Sequence, residues 1–258
     1  MDKLLPRLQQ EMVEWRKIDP FTLKKKPVTV DIPEFLSKIW SEDGALEIVK
    51  AVGDFTLFDF YDLLLIGEYT MKMTINETKQ TFQFRIESVT LFKKDRQGTL
   101  RQLPINASDA DILSGDGETL RIENQKNGWK NVCVYQEHND NEYYSPVPAL
   151  SCRYLHIHSH SADQKTPLSA YWENGQRNNV KAENISKSRK FATLQLDYPG
   201  TGGIPIEEID THSLRSSGTN ALALNGFLDR EIQNMLRWRS TKLMEYIREV
   251  LTCFAQVM

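Results

Sequence analysis

Two stretches near the C-terminal end decide the fold: residues 210–215 read Asp-Thr-His-Ser-Leu-Arg, and residues 237–248 read Arg-Trp-Arg-Ser-Thr-Lys-Leu-Met-Glu-Tyr-Ile-Arg. His212 and Arg215 stand three residues apart, so both side chains project from one face of a helix. Trp238 and Tyr246 follow in the second stretch. An imidazole, a guanidinium, an indole and a phenol are thus concentrated in one block, and each of them can donate a hydrogen bond.

The residues between and after these stretches predict three helices. Small residues continue a helix from Arg215 to Gly226, and glycine suits the left-handed conformation that follows a helix. A second short helix is predicted from Asp229 to Leu236. Ser240 is a candidate N-cap for a final helix that contains Tyr246.

Working outward, the first half of the chain also predicts helices. Asp31 is a candidate N-cap, and Pro33 lies early in the first turn of a helix that runs to about Trp40. Residues 44–66 form a long apolar helix, which we expect at the centre of the fold. Residues 1–19 predict a short, partly amphipathic helix.

The middle of the chain changes to the patterns of strands. Residues 81–86 alternate with the period of a strand. Residues 118–124 and 131–137 flank Asn127-Gly128, a strong hairpin signal. The helical pattern returns at Pro146, and a polar stretch leads to the C-terminal block. Helices, then a small antiparallel sheet, then helices indicate an α+β fold.

Two segments are expected. Residues 1–27, with a lysine-rich linker at 24–27, are separated from a main domain at residues 28–258. Composition bounds the function only loosely: 32 Lys and Arg stand against 35 Asp and Glu, which argues mildly against a protein that coats nucleic acid. Affinity for phosphates depends on where the cations lie, so binding to nucleic acid stays open.

The compartment is expected to be intracellular and the protein soluble. The N-terminus lacks the blocks of a signal peptide, and no apolar run approaches the ~18 residues that span a bilayer. The three cysteines are far apart with no Cys-x-x-Cys pair, which indicates reduced, structural thiols.

The C-terminal block resembles the catalytic domain of the tyrosine recombinases, the phage-integrase type. The residues that carry this resemblance are His-x-x-Arg at 212–215, Trp238, and Tyr-Ile-Arg at 246–248. The amino-acid sequence of these stretches most resembles that of recombinase-like proteins of eukaryotic mobile elements. Leu-Ile-Gly-Glu-Tyr-Thr at 65–70 resembles the segment of the family's first arginine, and Asn-Gln-Lys-Asn-Gly at 124–128 resembles its hairpin lysine. The resemblance covers roughly residues 28–256.

The resemblance implies cutting and rejoining of double-stranded DNA through a 3′-phosphotyrosine, without metal or cofactor. Tyr246 would be the nucleophile. Arg215 and His212 would bind the non-bridging phosphate oxygens, since the planar guanidinium pairs bidentately with phosphate. Trp238 would donate its indole N–H to the same group, and Lys126 would protonate the leaving oxygen.

Further expectations follow from the same resemblance. Glu68 would orient the first arginine, and the DNA backbone would be contacted by Arg237, Arg239 and Lys242. The family implies a homo-tetramer on DNA, integration or excision of a mobile element, and a nuclear location in a eukaryotic host. No membrane association is expected. Residues 1–27 are too short for the family's core-binding domain, so the chain is either a fragment or a catalytic domain that works alone.

One departure from the family pattern stands at position 65. Leu65 replaces the first catalytic arginine, and loss of one transition-state donor typically costs about 10²–10³ in rate. Glu68 would then lack its partner and repel a phosphate. Arg85, Arg101 and Arg121 are candidates for a substitute cation, because they lie nearby in the sequence. We therefore expect a weak or inactive recombinase, and Leu65→Arg should raise activity.

Other interpretations remain open. The C-terminal block is also compatible with a helix-turn-helix, so a DNA-binding or regulatory module without catalysis competes with the enzyme. A structural remnant that binds nothing is a third class. His156, His158 and His160 invite a zinc site, but a spacing of two scatters side chains around a helix, so no metal is expected.

Overall fold

The computed structural model describes residues 28–40, 44–70, 83–124, 130–139, 141, 143–201, 203–209 and 213–237. The predictions for the helix at 1–19, the lysine-rich linker, the tip of the hairpin and the helix of Tyr246 lie outside these residues. The helices are α1 Asp31–Trp40, α2 Glu47–Tyr61, α3 Ile66–Tyr69, α4 Asp109–Leu113, α5 Pro146–Ser159, α6 Ala182–Gln195, α7 Tyr198–Thr201, α8 Ser213–Leu224 and α9 Asp229–Met235. The strands are β1 Val89–Lys94, β2 Leu100–Gln102, β3 Gly117–Ile122, β4 Val132–Glu137, β5 Ala170–Glu173 and β6 Gln176–Asn179. The predicted α+β class is confirmed.

Helix α1 has the expected bounds. Asp31 and Glu34 lie in its first turn and Lys38 in its last turn, so charges of both signs oppose the helix dipole. Ile32 and Leu36 are four residues apart and fully buried. This apolar stripe packs α1 against α2 and α6.

Helix α2 is the central element, as expected, but it ends earlier than its apolar pattern indicates. Its residues contact α1, α5, α6 and α8, which explains why it is apolar on most sides. The helix stops at Tyr61, and Leu63 adopts a left-handed backbone conformation with φ +50°. The prediction of one helix over 44–66 is therefore wrong. The apolar pattern continues because Leu63 and Leu64 are buried in the core even though they are not helical.

The main sheet has four antiparallel strands in the order β2-β1-β3-β4. Leu91 of β1 lies opposite Glu118 of β3, and Thr119 lies opposite Tyr135 of β4. The paired strands predicted around Asn127-Gly128 are thus confirmed. In β3 the side chains of Glu118, Leu120 and Ile122 are buried, so this face of the sheet covers the helical core.

The strand predicted at 81–86 is wrong within the described residues. Arg85 forms only an isolated bridge to Pro167, and residues 86–88 form a 3₁₀ turn before β1 begins. The backbone N–H of Ile86 donates to Thr166 O over 3.1 Å. The hydrogen bonds of this segment are made to a distant loop, which an alternating pattern does not reveal.

A second sheet interrupts the expected order of elements. Strands β5 and β6 form a two-stranded antiparallel hairpin, followed by α6. Asn174 and Gly175 at its tip have φ values of +51° and +75°, as a tight hairpin turn requires. This stretch was predicted only as polar and irregular, although its Asn-Gly pair is a recognised hairpin signal.

The core is divided into three clusters of buried apolar side chains. The largest lies between α2, α5 and the main sheet, and the second lies between α1, α2 and the segments around α7 and α8. The third is small and comprises Leu63, Ile232 and Leu236. It joins α9 to the turn after α2, and the candidate site lies beside it.

Within the described ranges, no helix is both long and apolar enough to cross a membrane. Cys133 and Cys152 are free and exposed, so the expectation of structural thiols does not hold for these two.

Candidate functional site: an arginine cluster at the end of the central helix

Arg215 is held against the turn that follows α2. It lies in the first turns of α8, and only 5% of it is exposed. Its Nη1 donates to the Leu63 carbonyl oxygen, and its Nη2 donates to the Leu236 carbonyl oxygen over 2.5 Å. Leu63 and Arg215 are 152 residues apart in the sequence. The fold thus brings the His-x-x-Arg helix to the segment that resembles the family's first motif.

A glycine makes this approach possible. Gly218, one turn after Arg215 on α8, is so close to α2 that a Cβ there would overlap the Phe60 carbonyl oxygen and the Leu63 side chain. Because only glycine lacks this atom, α8 can lie directly against the last turn of α2. The close packing places the Arg215 guanidinium at the Leu63 carbonyl.

Glu68 lies on the other side of the same turn and is fully buried. Its Oε2 accepts from the Leu65 backbone N–H over 2.7 Å and from Arg237 Nη2 over 3.2 Å. The expectation that Glu68 lacks a cationic partner is therefore wrong. Glu68 is not a lone carboxylate, because an arginine from the far end of the described chain reaches it.

Arg237 follows α9 and has a left-handed backbone, with φ +58°. It is 1% exposed. Its Nη1 donates to the carbonyl oxygens of Asp62 and Met235 over 3.3 and 3.1 Å, and its Nη2 donates to that of Leu63 over 3.1 Å. The prediction that Arg237 contacts the DNA backbone from the surface is corrected: its guanidinium is used inside the protein.

Buried charges of both signs act on Arg215. Burial, and then the nearby Arg237, lower its pKa to about 10, whereas Glu68 and Asp59 act to raise it. The guanidinium of Arg215 therefore stays protonated at neutral pH. Burial raises the pKa of Asp62 to about 7, so this neighbour is only partly ionised near neutral pH. The same cause, together with Asp62, raises the pKa of Glu118 well above its usual value.

Leu65 lies at the edge of this cluster. It is half-buried in an extended conformation, as the residue before α3. The nearby sequence candidates for a substitute cation point elsewhere. Arg85 pairs with Glu87 over 3.2 Å, Arg101 pairs with Asp95 over 3.0 Å, and Arg121 lies 4.0 Å from Glu123. Arg237 was missed as a candidate because it is remote in sequence.

The remaining predicted site residues lie outside the described ranges: Tyr246, His212, Trp238, Lys126, Arg239 and Lys242. Their predicted roles stay predictions. In the sequence His212 directly precedes Ser213, the first residue of α8, and Trp238 directly follows Arg237.

His156 and His158 lie on α5 and His160 directly follows it, and the rings of His156 and His160 lie 5.0 Å apart. His156 Nδ1 lies 3.1 Å from Glu47 Oε2, and its Nε2 accepts from the Trp172 backbone N–H over 3.1 Å. Burial lowers the pKa of His156 to about 4, so its ring is neutral. His160 stacks on Trp172. No group of three or more His, Cys, Asp or Glu side chains suited to a metal ion is found in the described part of the chain.

The solved structures that resemble this chain include two of the integrase of the transposon Tn1549. One is in complex with transposon right-end DNA, with 11% identity, a TM-score of 0.45, and coverage of 93% of this chain and 68% of the other. The second is in complex with circular-intermediate DNA, with 13% identity, a TM-score of 0.41, and coverage of 88% and 62%. No protein-family model and no curated protein matches the sequence. What the site can do must therefore be decided from its own contacts.

Proposed function

We propose that this chain is a DNA-binding protein of the tyrosine-recombinase kind that cuts and rejoins duplex DNA through Tyr246. The observation that carries the proposal is the meeting of two sequence motifs at one place. Arg215 of the His-x-x-Arg motif contacts Leu63, and Glu68 of the motif at 65–70 lies at the same turn. The sequence of both motifs predicts that they are parts of one phosphate site.

Arg215 has the donors that such a site needs. Its described hydrogen bonds use one hydrogen on each terminal nitrogen, and its Nε has no acceptor among the described residues. Part of the guanidinium is thus left to donate to a phosphate oxygen. Preorganised donors of this kind stabilise the negative charge that develops on a phosphorane.

The proposed reaction conserves the phosphodiester energy. The Tyr246 oxygen attacks phosphorus, a tyrosine–phosphate bond forms, and the bond to the 5′ oxygen breaks. The tyrosine proton passes to solvent water, and Lys126 gives a proton to the leaving 5′ oxygen. Religation is the reverse reaction with another 5′ hydroxyl. On DNA the chain would act as a homo-oligomer. Its role would be to integrate or excise a mobile element, in the nucleus of a eukaryotic host.

A second candidate is a DNA-binding module that no longer cleaves. Leu65 and the deep burial of Arg215 and Arg237 favour it, because both arginines already serve backbone carbonyls. Such a module would hold duplex DNA through exposed cations, in a manner that weakens steeply with salt.

Covalent capture separates the two candidates. The full chain is incubated with a library of nicked duplexes of randomised sequence, and DNA that survives denaturing washes is counted. A recombinase gives an adduct that Tyr246→Phe abolishes and that Tyr135→Phe, an exposed control on β4, leaves unchanged. Salt-sensitive DNA binding without an adduct would establish the DNA-binding module. If the chain forms no adduct and binds no DNA, it is a structural remnant and the proposal is wrong.

A further inference from the structure

Two guanidinium groups converge on one carbonyl oxygen. Arg215 Nη1 and Arg237 Nη2 both donate to Leu63 O, so two positive charges lie close together. Like charges that lie this close repel unless anions are nearby. Glu68 is one such anion, and its Oε2 lies 3.2 Å from Arg237 Nη2. The buried carboxylate of Asp59 is a second charge that acts on Arg215.

The Arg237 guanidinium lies next to the backbone of residue 65. Glu68 Oε2 is 2.7 Å from the Leu65 backbone nitrogen and 3.2 Å from Arg237 Nη2. One oxygen atom therefore joins the position where an arginine is missing to an arginine that comes from 172 positions later (237 − 65). The positive charge is present at this place, although a different part of the chain supplies it.

The backbone on both sides of this contact is strained. Leu63 and Arg237 have φ values of +50° and +58°, in the left-handed region that side chains other than glycine rarely adopt. The strained Leu63 supplies the shared carbonyl, and the strained Arg237 supplies one of the guanidinium groups. Such conformations persist where the surrounding structure forces them, and they concentrate at functional sites.

We propose that Arg237 replaces the arginine missing at position 65, by neutralising Glu68 so that Arg215 can bind one phosphate group of the DNA backbone. The inference rests on the proposed function, because it concerns the same site. The terminal nitrogens of Arg237 donate to Asp62, Leu63, Glu68 and Met235. Arg237 is therefore a positioning residue that acts through charge, and Arg215 is the phosphate ligand.

Phosphate binding tests the charge argument without cleavage. The melting temperature of the full chain is measured against inorganic phosphate, with chloride holding the ionic strength constant. The wild type is expected to melt higher with phosphate. Glu68→Gln should tighten phosphate binding by on the order of tenfold, because it removes the negative charge and keeps both arginines. Arg237→Gln should weaken binding by a similar factor, because Glu68 is then unopposed.

A matched control comes from a carboxylate at the opposite end of α2, Glu47, which pairs with Lys50 over 3.2 Å. Glu47→Gln also removes a paired negative charge, but Glu47 begins α2 whereas Leu63 follows its end, so phosphate affinity should stay within about twofold of wild type. If the wild type shows no response specific to phosphate, or if Glu68→Gln and Glu47→Gln behave alike, the inference is overturned.

A transplant of the charge tests the replacement directly. Leu65→Arg in the Arg237→Gln background should recover most of the lost phosphate affinity, since Glu68 again has a guanidinium partner. The gain from Leu65→Arg should be smaller in the wild type, where Arg237 already occupies Glu68. Equal gains in both backgrounds would contradict replacement. If Arg237→Gln does not fold, Arg237→Lys, which keeps the charge, and the double variant are compared with wild type, and both should bind phosphate.

Covalent capture then separates this inference from the proposed function. On a nicked duplex, Arg237→Gln should reduce the adduct by about 10²–10³. On the same duplex with a neutral methylphosphonate at the nick, the loss should be far smaller, because the phosphate charge is gone. If Arg237 had a purely structural role, Arg237→Gln would reduce the adduct equally on both duplexes. If phosphate binding depends on Arg237 but no adduct forms, the inference about the anion site holds and the proposed recombinase function is wrong.

Discussion

Two buried arginine clusters lie within the same fold, and they differ in the backbone that surrounds them. In the first, Arg189 pairs with Asp59, and Tyr69 donates to Asp59 Oδ2 over 2.7 Å while its hydroxyl accepts from Arg189 over 3.0 Å. One cation meets one anion, and a hydroxyl joins them. In the second, Arg215 and Arg237 share one carboxylate and one carbonyl.

The difference teaches how to tell a structural ion pair from a candidate binding site. The Arg189 cluster joins α2, α3 and α6, and Arg189 itself lies within a regular helix. The Arg215 cluster includes two residues in the left-handed backbone region, Leu63 and Arg237, and both of its guanidinium groups donate to one carbonyl oxygen. Both are buried, so burial alone does not separate them. The strained backbone and the shared carbonyl do.

Breaking the first cluster should have the largest effect on stability. Arg189→Gln leaves Asp59 buried without its cation, and such losses typically cost about 3–5 kcal/mol. We expect a large fall in the free energy of unfolding, measured in denaturant. Phosphate affinity, measured at a temperature where the variant is folded, should be unchanged. A loss of phosphate affinity in folded Arg189→Gln would erase the distinction between the clusters.

A smaller loss is expected where α8 approaches α2. Gly218→Ala places a methyl group on the Phe60 carbonyl oxygen, a backbone atom that cannot turn aside, so the helices must separate. Overpacking of this kind costs about 1–3 kcal/mol. Because Arg215 lies one turn earlier, phosphate affinity should fall together with stability. Ala221→Gly, in the same helix at a half-buried position, is the control and should lose stability without losing phosphate affinity.

The smallest effect concerns how stability depends on pH through the titration of Asp62, a neighbour of Leu63. Burial raises the pKa of Asp62 from 3.8 to about 7, so the folded state favours its protonated form. This contribution to stability is complete below the unfolded pKa and is lost as pH rises from about 4 to 7. Asp62→Asn should therefore reduce the fall in melting temperature between pH 5 and pH 8, whereas Asp109→Asn, an exposed control, should not. An unchanged pH profile in Asp62→Asn would show that Asp62 does not titrate in this range.

Local patterns in the sequence predicted much of the fold. Asp31, predicted as an N-cap, is instead the first residue of α1. The strands on either side of Asn127-Gly128, the helix that begins at Pro146 and the short helix at Asp229 are where the structure has them. In each case a few neighbouring residues decide the conformation. The end of α2 and the segment at 81–86 were predicted wrongly, because their hydrogen bonds and burial depend on partners far along the chain.

The same division holds for the candidate site. The sequence by itself determined which residue types are present: a leucine at position 65, a glutamate three residues later, and arginines at 215 and 237. The tertiary structure alone decided that Arg237 pairs with Glu68, across 169 residues. A periodic pattern encodes which face of an element is buried, but it carries no information on which distant charge a buried carboxylate will meet. That choice is made when α8 and α9 pack against the turn after α2, where a buried glutamate is stable only beside a cation.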